Sequence, residues 1–515
     1  MKINLKISDL LYKTGFKKKD NLPITFFIIF YLGYLLFLCA RVDMSYDEPY
    51  SLTTSDSLSE VIHLSYNFEF QPPGYFVILS LWRIINDGIF FSRLLSLAFT
   101  LLSAFFLFKT SRLIFNKIFT KWVVVLFLLN PFTVYTSIEI RLYSLMVLLT
   151  MVDIYLFYLI YFYKKGHLKI VFIIVSALGA YTQYFFVFLV ASFALVLIIK
   201  KDWRSFVNYI LLSSLIAILF IPNLFFIKKQ FNVYPNSLEV YTFIDRIKSI
   251  IIASSDFFVL NTNYFIGRIG RWAIRIAFVS LIVITGYKYF KKVRTDKCEE
   301  IINLRNTINQ TIILLCFFLA MFSFSNIPFA VRYLVILFPF HIILLVAFGI
   351  FKNRTRNIIY GLYAMISLIT VIGDHRSPYI KSYAFKSIAT YTKQIQNVNE
   401  PLLFLNNDLN LGMKYIYDNV QSFISLPEFQ YNYNLYTNYV KDTTELNQLI
   451  SKIRSDSPSY LVITGTDLGY LRNKDLTNEM IDSYFGSNFA VQIDTTFEGY
   501  NNKVDFIRLR RIIKK

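Results

Sequence analysis

Residues 122–163 read WVVVLFLLNPFTVYTSIEIRLYSLMVLLTMVDIYLFYLIYFY. Two apolar runs, 122–137 and 142–163, flank a short turn that carries Glu139 and Arg141. A helix needs about 20 apolar residues to cross a bilayer, so this stretch predicts two neighbouring membrane spans joined by a charged turn. The same pattern continues outward in both directions. Further apolar runs at 22–40, 92–108, 170–181, 183–199, 205–227, 272–287, 308–325, 333–351 and 357–373 bring the expected number of spans to eleven. Only Tyr181-Thr182-Gln183-Tyr184 interrupts the run between 170 and 199.

Composition agrees with that reading. Of the 515 residues, 55% are hydrophobic and 17% charged, and the mean hydropathy is +0.48, which excludes a soluble globular chain and a disordered one. The three cysteines, Cys39, Cys298 and Cys316, are scattered and offer neither a disulfide framework nor a metal spacing. A formal charge of +20 could suit nucleic acid, but the positions of the cations decide otherwise. With the N-terminus in the cytoplasm, the inner segments hold 25 Lys and Arg and the outer ones 9, although the outer segments are longer in total. This is the positive-inside distribution. The basic excess is therefore a topology signal, and no nucleic-acid partner is expected. Lys17-Lys18-Lys19 ahead of the first run imitates a secretory signal, but no small-residue cleavage site follows, so a retained first helix is expected.

An odd number of crossings places the tail outside. Two domains are expected: residues 1–373, a membrane domain with a long first outer loop at 41–91, and residues 374–515, a small extracytoplasmic α/β domain. Strand-like Pro401–Asn406, Tyr460–Thr464 and Phe489–Asp494 alternate in it with helix-like 409–419, 443–455 and 476–485. No phosphate loop or catalytic cluster occurs there, and a lid or acceptor-docking role is its plainest reading.

Ionisable residues at a membrane boundary are functional candidates, and here they gather on the outer face. The first outer loop carries Asp43, Asp47, Glu48, Asp56, Glu60 and Glu69; later outer turns add Glu139, Arg141, Lys228, Lys229 and Arg332. Carboxylates thus come mostly from one loop and cations from others, which suits a site that deprotonates one partner while holding an anionic second one. In Tyr46-Asp47-Glu48-Pro49-Tyr50, Asp47 reads as a helix N-cap with Glu48 in the first turn. A carboxylate held there also suits a general base. Pro72-Pro73 precedes a short apolar run ending near Ile85, too short to span and expected to lie in the interface. Glu139 and Arg141, two residues apart, would not face each other on a helix. Arg332 offers a planar fork suited to phosphate.

At these residues the chain resembles the GT-C glycosyltransferases of family 39, the group that holds protein O-mannosyltransferases and lipid A aminoarabinose transferases. Four ordered features carry the resemblance. Tyr46-Asp47-Glu48-Pro49-Tyr50-Ser51 resembles the family's Asp-Glu motif, and Gln71-Pro72-Pro73-Gly74-Tyr75 its His-Pro-Pro-Leu-Tyr segment. Glu139-Ile140-Arg141-Leu142-Tyr143 resembles its Glu-x-Arg-x-Tyr turn, and Arg332-Tyr333 an Arg-Tyr pair that opens a late helix. The resemblance covers about residues 20–350 and implies a GT-C membrane fold.

It further implies an inverting enzyme of the cytoplasmic membrane. A sugar would pass from a polyprenyl-phosphate carrier, held in the membrane lipid, to an acceptor hydroxyl on the outer side; the acceptor itself is not identified. Asp47 would be the catalytic base and Glu48 would position the acceptor or a cation. Arg332, Arg141 and Lys228 would neutralise the departing phosphate, with Glu139, Tyr143, Tyr333, Gln71 and Gln183 completing the substrate-binding set. Gln71 and Gln183 stand where relatives often carry His, and an amide cannot replace an imidazole as zinc ligand. No metal site is therefore expected and no cofactor required, although a magnesium or calcium ion held by carboxylates is compatible with the chemistry. A transporter or lipid flippase would favour charges at mid-membrane and internal repeats. An O-antigen polymerase or ligase would favour a large late outer loop.

Overall fold

A computed structural model describes residues 22–115, 117–233, 242–259, 269–277, 299–324, 331–351 and most of 353–514. Helix α1 (Leu22–Arg41) is followed by the long loop 42–88, which holds α2 (Glu48–Thr54), a π-helical turn at Ser65–Glu69 and α3 (Gly74–Arg83). Then come α4 (Ile89–Ile114), α5 (Lys117–Leu129), α6 (Pro131–Ser137), α7 (Tyr143–Phe157), α8 (Lys169–Ala180), α9 (Phe186–Ile199) and α10 (Trp203–Val233). The helical part closes with α11 (Phe243–Val259), α12 (Glu299–Phe324), a 3-10 turn at Val331–Leu337, α13 (Phe338–Phe351) and α14 (Asn353–Asp374). Helices thus occupy ten of the eleven expected runs, and the eighth, 272–287, lies largely outside the described residues.

Not every helix is long enough to cross alone. Among the described residues, five meet the length and hydropathy of a membrane span, or six if the bent α5–α6 pair is one span. Some of the shorter helices are short because the chain breaks them. At Asn130 the side chain caps the amides of Phe132 and Thr133 at 2.7 and 3.3 Å while Pro131 takes the first helical position, so a new helix starts at a 59° bend. Tyr181-Thr182-Gln183-Tyr184 likewise limits α8 and α9 to 12 and 14 residues. Non-helical backbone at such depth is tolerated where protein surrounds it, and here it borders the cluster of charged residues. Amphipathic α3 buries Tyr75, Phe76 and Leu79 and exposes Leu81, with Ile84 and Ile85 exposed just beyond its end. That is the pattern expected of a helix lying in an interface.

After α14 the chain forms α15 (Phe385–Ile395), β1 (Leu402–Phe404), α16 (Asn407–Lys414), β2 (Phe423–Ser425), α17 (Thr443–Lys452), β3 (Ser459–Gly465), α18 (Asn478–Asn488), β4 (Phe489–Glu498) and β5 (Phe506–Lys514). The strands make one mixed sheet in the order β2-β1-β3-β5-β4, parallel at β2-β1-β3 and antiparallel at β3-β5-β4. Its fully buried central strand β3 and buried β1 pack on the same apolar cluster as the helices, which runs from Leu35 and Leu38 through Phe157 to Phe404 and Leu461.

Two polar junctions tie this part to the loop after α1. In one, Asp43 Oδ2 accepts the Lys386 amide of the first turn of α15 at 2.9 Å, while Lys386 Nζ donates to the carbonyls of Arg41 and Val42 at the end of α1. Each side chain thereby satisfies the terminus of the other's helix, with the sign that the helix dipoles favour. In the other, Tyr415 and Lys414 both reach Asp56 Oδ2, at 2.8 and 2.9 Å, while Arg83 holds Oδ1 at 2.9 Å and Thr53 Oγ1 meets the Tyr415 hydroxyl at 3.0 Å. The two junctions bracket residues 43–56, the segment that contains Asp47.

Candidate active site

The floor of the site is an ion pair. Arg93, in the second turn of α4, and Glu48 are both about 1% exposed and bond through both guanidinium arms, Nε to Oε1 at 2.9 Å and Nη2 to Oε2 at 2.7 Å. Arg93 also donates to the carbonyls of Cys39, Val42 and Asp43, and Glu48 also accepts the amides of Ser45 and Ile140. A charge pair this deep persists only when its remaining lone pairs and protons are also met, and here they are. The consequence is a correction: Glu48 holds three segments together and has no surface to offer an acceptor or a cation. Glu139 is similarly turned inward, 1% exposed, with Oε1 accepting from Ser45 Oγ at 2.7 Å and its carbonyl from Ser96 Oγ at 2.6 Å.

Above that floor lies a second pair. Arg141 Nη1 bonds Glu69 Oε1 at 2.7 Å, Ser51 Oγ at 3.0 Å and the Asp47 carbonyl at 3.3 Å. As their spacing implied, Arg141 does not pair with Glu139. Burial raises the Glu69 pKa, and Arg141 offsets that only in part. Arg141 itself is held above its ordinary value because Glu69 and Asp47 outweigh its burial.

The third pair is the open one. Arg332 Nη1 reaches Asp47 Oδ2 at 2.9 Å, and these side chains are 43% and 24% exposed, against 9% and 5% for Arg141 and Glu69. Of the three described pairs, this is the one whose charge a substrate can meet. Asp47 sits at the N-cap position of α2 but makes no side-chain cap bond, so the expected capping role is not used; the carboxylate faces Arg332 instead. Burial pushes the Asp47 pKa up, yet Arg141 and Arg332 together bring it below the ordinary aspartate value. Tyr143 is buried within electrostatic reach of Asp47, Arg141 and Arg332. The Arg332 guanidinium lies over its neighbour Tyr333, whose ring meets Phe185 edge-on.

The amides lie to one side. Gly74 N donates to the Tyr181 carbonyl at 2.7 Å, and a Cβ at position 74 would stand 2.6 Å from that oxygen, so only glycine permits this approach of the 71–75 and 181–184 segments. Gln71 is half-buried and Gln183 buried. Lys228, exposed near the end of α10, is not among the described contacts of the cluster. Asp47, Glu48 and Glu69 each already carry a guanidinium, and among the described residues no three His, Cys, Asp or Glu side chains converge as a metal site.

Sequence reasoning missed Arg93 and gave Glu69 no role. The signal for Arg93 was an arginine one residue inside an apolar run, where a charge persists only with a partner. For Glu69 it was the surplus of carboxylates over cations in the first outer loop.

Residues 71–226 match the family described as dolichyl-phosphate-mannose-protein mannosyltransferase. The crystal structure of ArnT from Cupriavidus metallidurans in the apo state superposes with a TM-score of 0.54 at 10% identity, over 95% of this chain and 98% of that one. The same protein bound to undecaprenyl phosphate gives 0.57 at 10% identity over the same shares. No curated protein sequence matches the chain. The architecture is thus shared over nearly the whole of both chains, helices and terminal sheet domain together.

Proposed function

We propose that this chain, a GT-C glycosyltransferase of the membrane, moves a sugar from a polyprenyl-phosphate carrier to a hydroxyl acceptor, with Asp47 as base and Arg332 as phosphate ligand. The observation that carries the reading is the half-open Asp47–Arg332 pair, the most exposed of the three described charge pairs. Asp47 takes the proton of the acceptor hydroxyl as its oxygen attacks the anomeric carbon. The bond from that carbon to the phosphate oxygen breaks, and the electron pair leaves with polyprenyl phosphate. Arg332 then faces the growing negative charge, the kind of fixed electrostatic partner that lowers such barriers most. Attack from the face opposite the leaving group inverts the anomeric carbon.

The resting pair gives the order of events a physical basis. In the free protein Arg332 neutralises Asp47 and weakens it as a base. A donor phosphate competes for the guanidinium, and Asp47 regains basicity when Arg332 turns to it. Arg141, bonded through Nη1 to Glu69, Ser51 and the Asp47 carbonyl, stays behind as the cation that orients α2. Glu48 and Arg93 position rather than react. The ArnT form bound to undecaprenyl phosphate supports a polyprenyl carrier for the donor here. The inner excess of Lys and Arg supports the cytoplasmic membrane, with the N-terminus inside and residues 374–515 outside. The transporter and polymerase or ligase readings are not favoured by the family match or the fold. Purified full-length protein incubated with a polyprenyl-phosphate sugar and an acceptor extract is expected to release free polyprenyl phosphate. Absence of release from any such donor would overturn the reading.

A further inference from the structure

Two buried amide groups beside the site have no partner among the described residues: Oε1 of Gln183, which is 3% exposed, and Nδ2 of Asn223, which is fully buried. Native interiors rarely leave such groups unmet, and both lie at one junction. Tyr181, two residues before Gln183, donates its hydroxyl to the Leu219 carbonyl at 2.7 Å, and the Tyr184 ring stands 6.4 Å from that of Phe220. Leu219 and Phe220 share a face of α10 with Asn223, four and three residues on. Asn223 Oδ1 accepts the Tyr66 hydroxyl at 2.5 Å, and Tyr66 shares the short π-helical turn with Glu69, the partner of Arg141. The junction is therefore one ion pair away from Asp47.

We propose that Gln183 and Asn223 bind a hydroxyl of the donor's sugar and that this sugar carries no charge; the proposal rests on the transferase reading above. A hydroxyl donates one hydrogen bond and accepts others. Sugar hydroxyls can thus give a proton to the Gln183 oxygen and take one from the Asn223 amide, which no purely accepting or purely donating group can do. Among the described residues, the side chains of 181–184, of Leu219, Phe220 and Asn223, and of Tyr66 are all neutral, and Glu69, three residues after Tyr66, is already held by Arg141. An ammonium or carboxylate on the sugar would be buried here without a countercharge, which is costly.

The test uses full-length protein in lipid nanodiscs with three donors, polyprenyl phosphates bearing a neutral hexose, an amino sugar or a uronic acid, and reads release of free polyprenyl phosphate. Wild type is expected to favour the neutral hexose in kcat/KM by roughly a hundredfold or more. Gln183→Ala should cut that preference by about tenfold, and Asn223→Asp should shift it toward the amino sugar. A merely structural role would lower all donors by one factor and leave the ratios alone. Unchanged ratios in both variants, or a wild-type preference for a charged sugar, would overturn the proposal. Turnover of no donor at all would instead overturn the transferase reading, and the proposal with it.

Discussion

Arg332 faces Asp47, the carboxylate proposed as the base. In the free protein the carboxyl is held below its ordinary pKa by Arg141 and Arg332 against the opposing effect of burial. On the proposed mechanism a bound donor phosphate draws Arg332 away, so the pKa in the complex should be higher than in the free enzyme. The acid limb of kcat should therefore lie at higher pH than that of kcat/KM, since the first reports the complex and the second the free protein. In Arg332→Gln the kcat/KM limb should move up toward the kcat limb while the donor KM rises. Profiles that coincide in wild type and do not move in the variant would show that Arg332 does not govern the base. Glu48 behaves oppositely, as a fixed post. Glu48→Gln leaves the Arg93 charge buried without its counterion and should cost about 3–5 kcal/mol in unfolding of the purified protein. Glu48→Met with Arg93→Met should cost less than the sum of the single changes. That Asp47, Arg141 and Arg332 come together was legible in the sequence because charges at the ends of apolar runs have few other uses. The division of labour between adjacent Asp47 and Glu48 was not, since it depends on Arg93 arriving from a different helix.

At the scale of elements, the segment bearing Asp47 is held at both ends by the tail. Asp43 carries the pH dependence of this joint. Burial raises its pKa to about 6, the Lys386 and Met44 amides opposing only in part. An acid whose folded pKa lies above its unfolded one binds the extra proton in the folded state, so its contribution to stability falls as pH rises from about 4 to about 6 and is flat above. Asp43→Asn should abolish that fall, so the difference in stability between wild type and variant should change by on the order of 2–3 kcal/mol between about pH 4 and about pH 6. At the other end, Tyr415→Phe deletes the bonds to Asp56 and Thr53 and should lower stability by about 1–2 kcal/mol. The expected strands at 401–406, 460–464 and 489–494 are present as β1, β3 and β4, because their apolar runs are short and bounded. Strand β5 escaped notice because Arg508, Arg510 and Arg511 break its apolar run. Their charges are met by Asp482, Asp494 and Glu400 from elsewhere in the tail, with Asp494 opposite Arg510 in register. Periodicity along one strand cannot show a partner across the sheet.

For the whole molecule, hydropathy placed the helices. What it did not show is where Asn130-Pro131 and residues 181–184 end helices early, since such breaks are capping and turn chemistry inside apolar runs. With every carboxylate of the central cluster except Glu139 shown on an arginine, cation-independent transfer is expected. Chelation of divalent ions should leave release of polyprenyl phosphate within about twofold of the untreated rate, small beside the hundredfold or greater loss that removal of a proton-transfer group brings. The most direct measurement is single-turnover sugar transfer by Asp47→Asn in nanodiscs, with carrier binding followed in parallel. Transfer should fall by roughly 10²–10⁴-fold while the carrier still binds. Transfer within a few-fold of wild type would contradict the assignment of Asp47 as the group that takes the acceptor's proton.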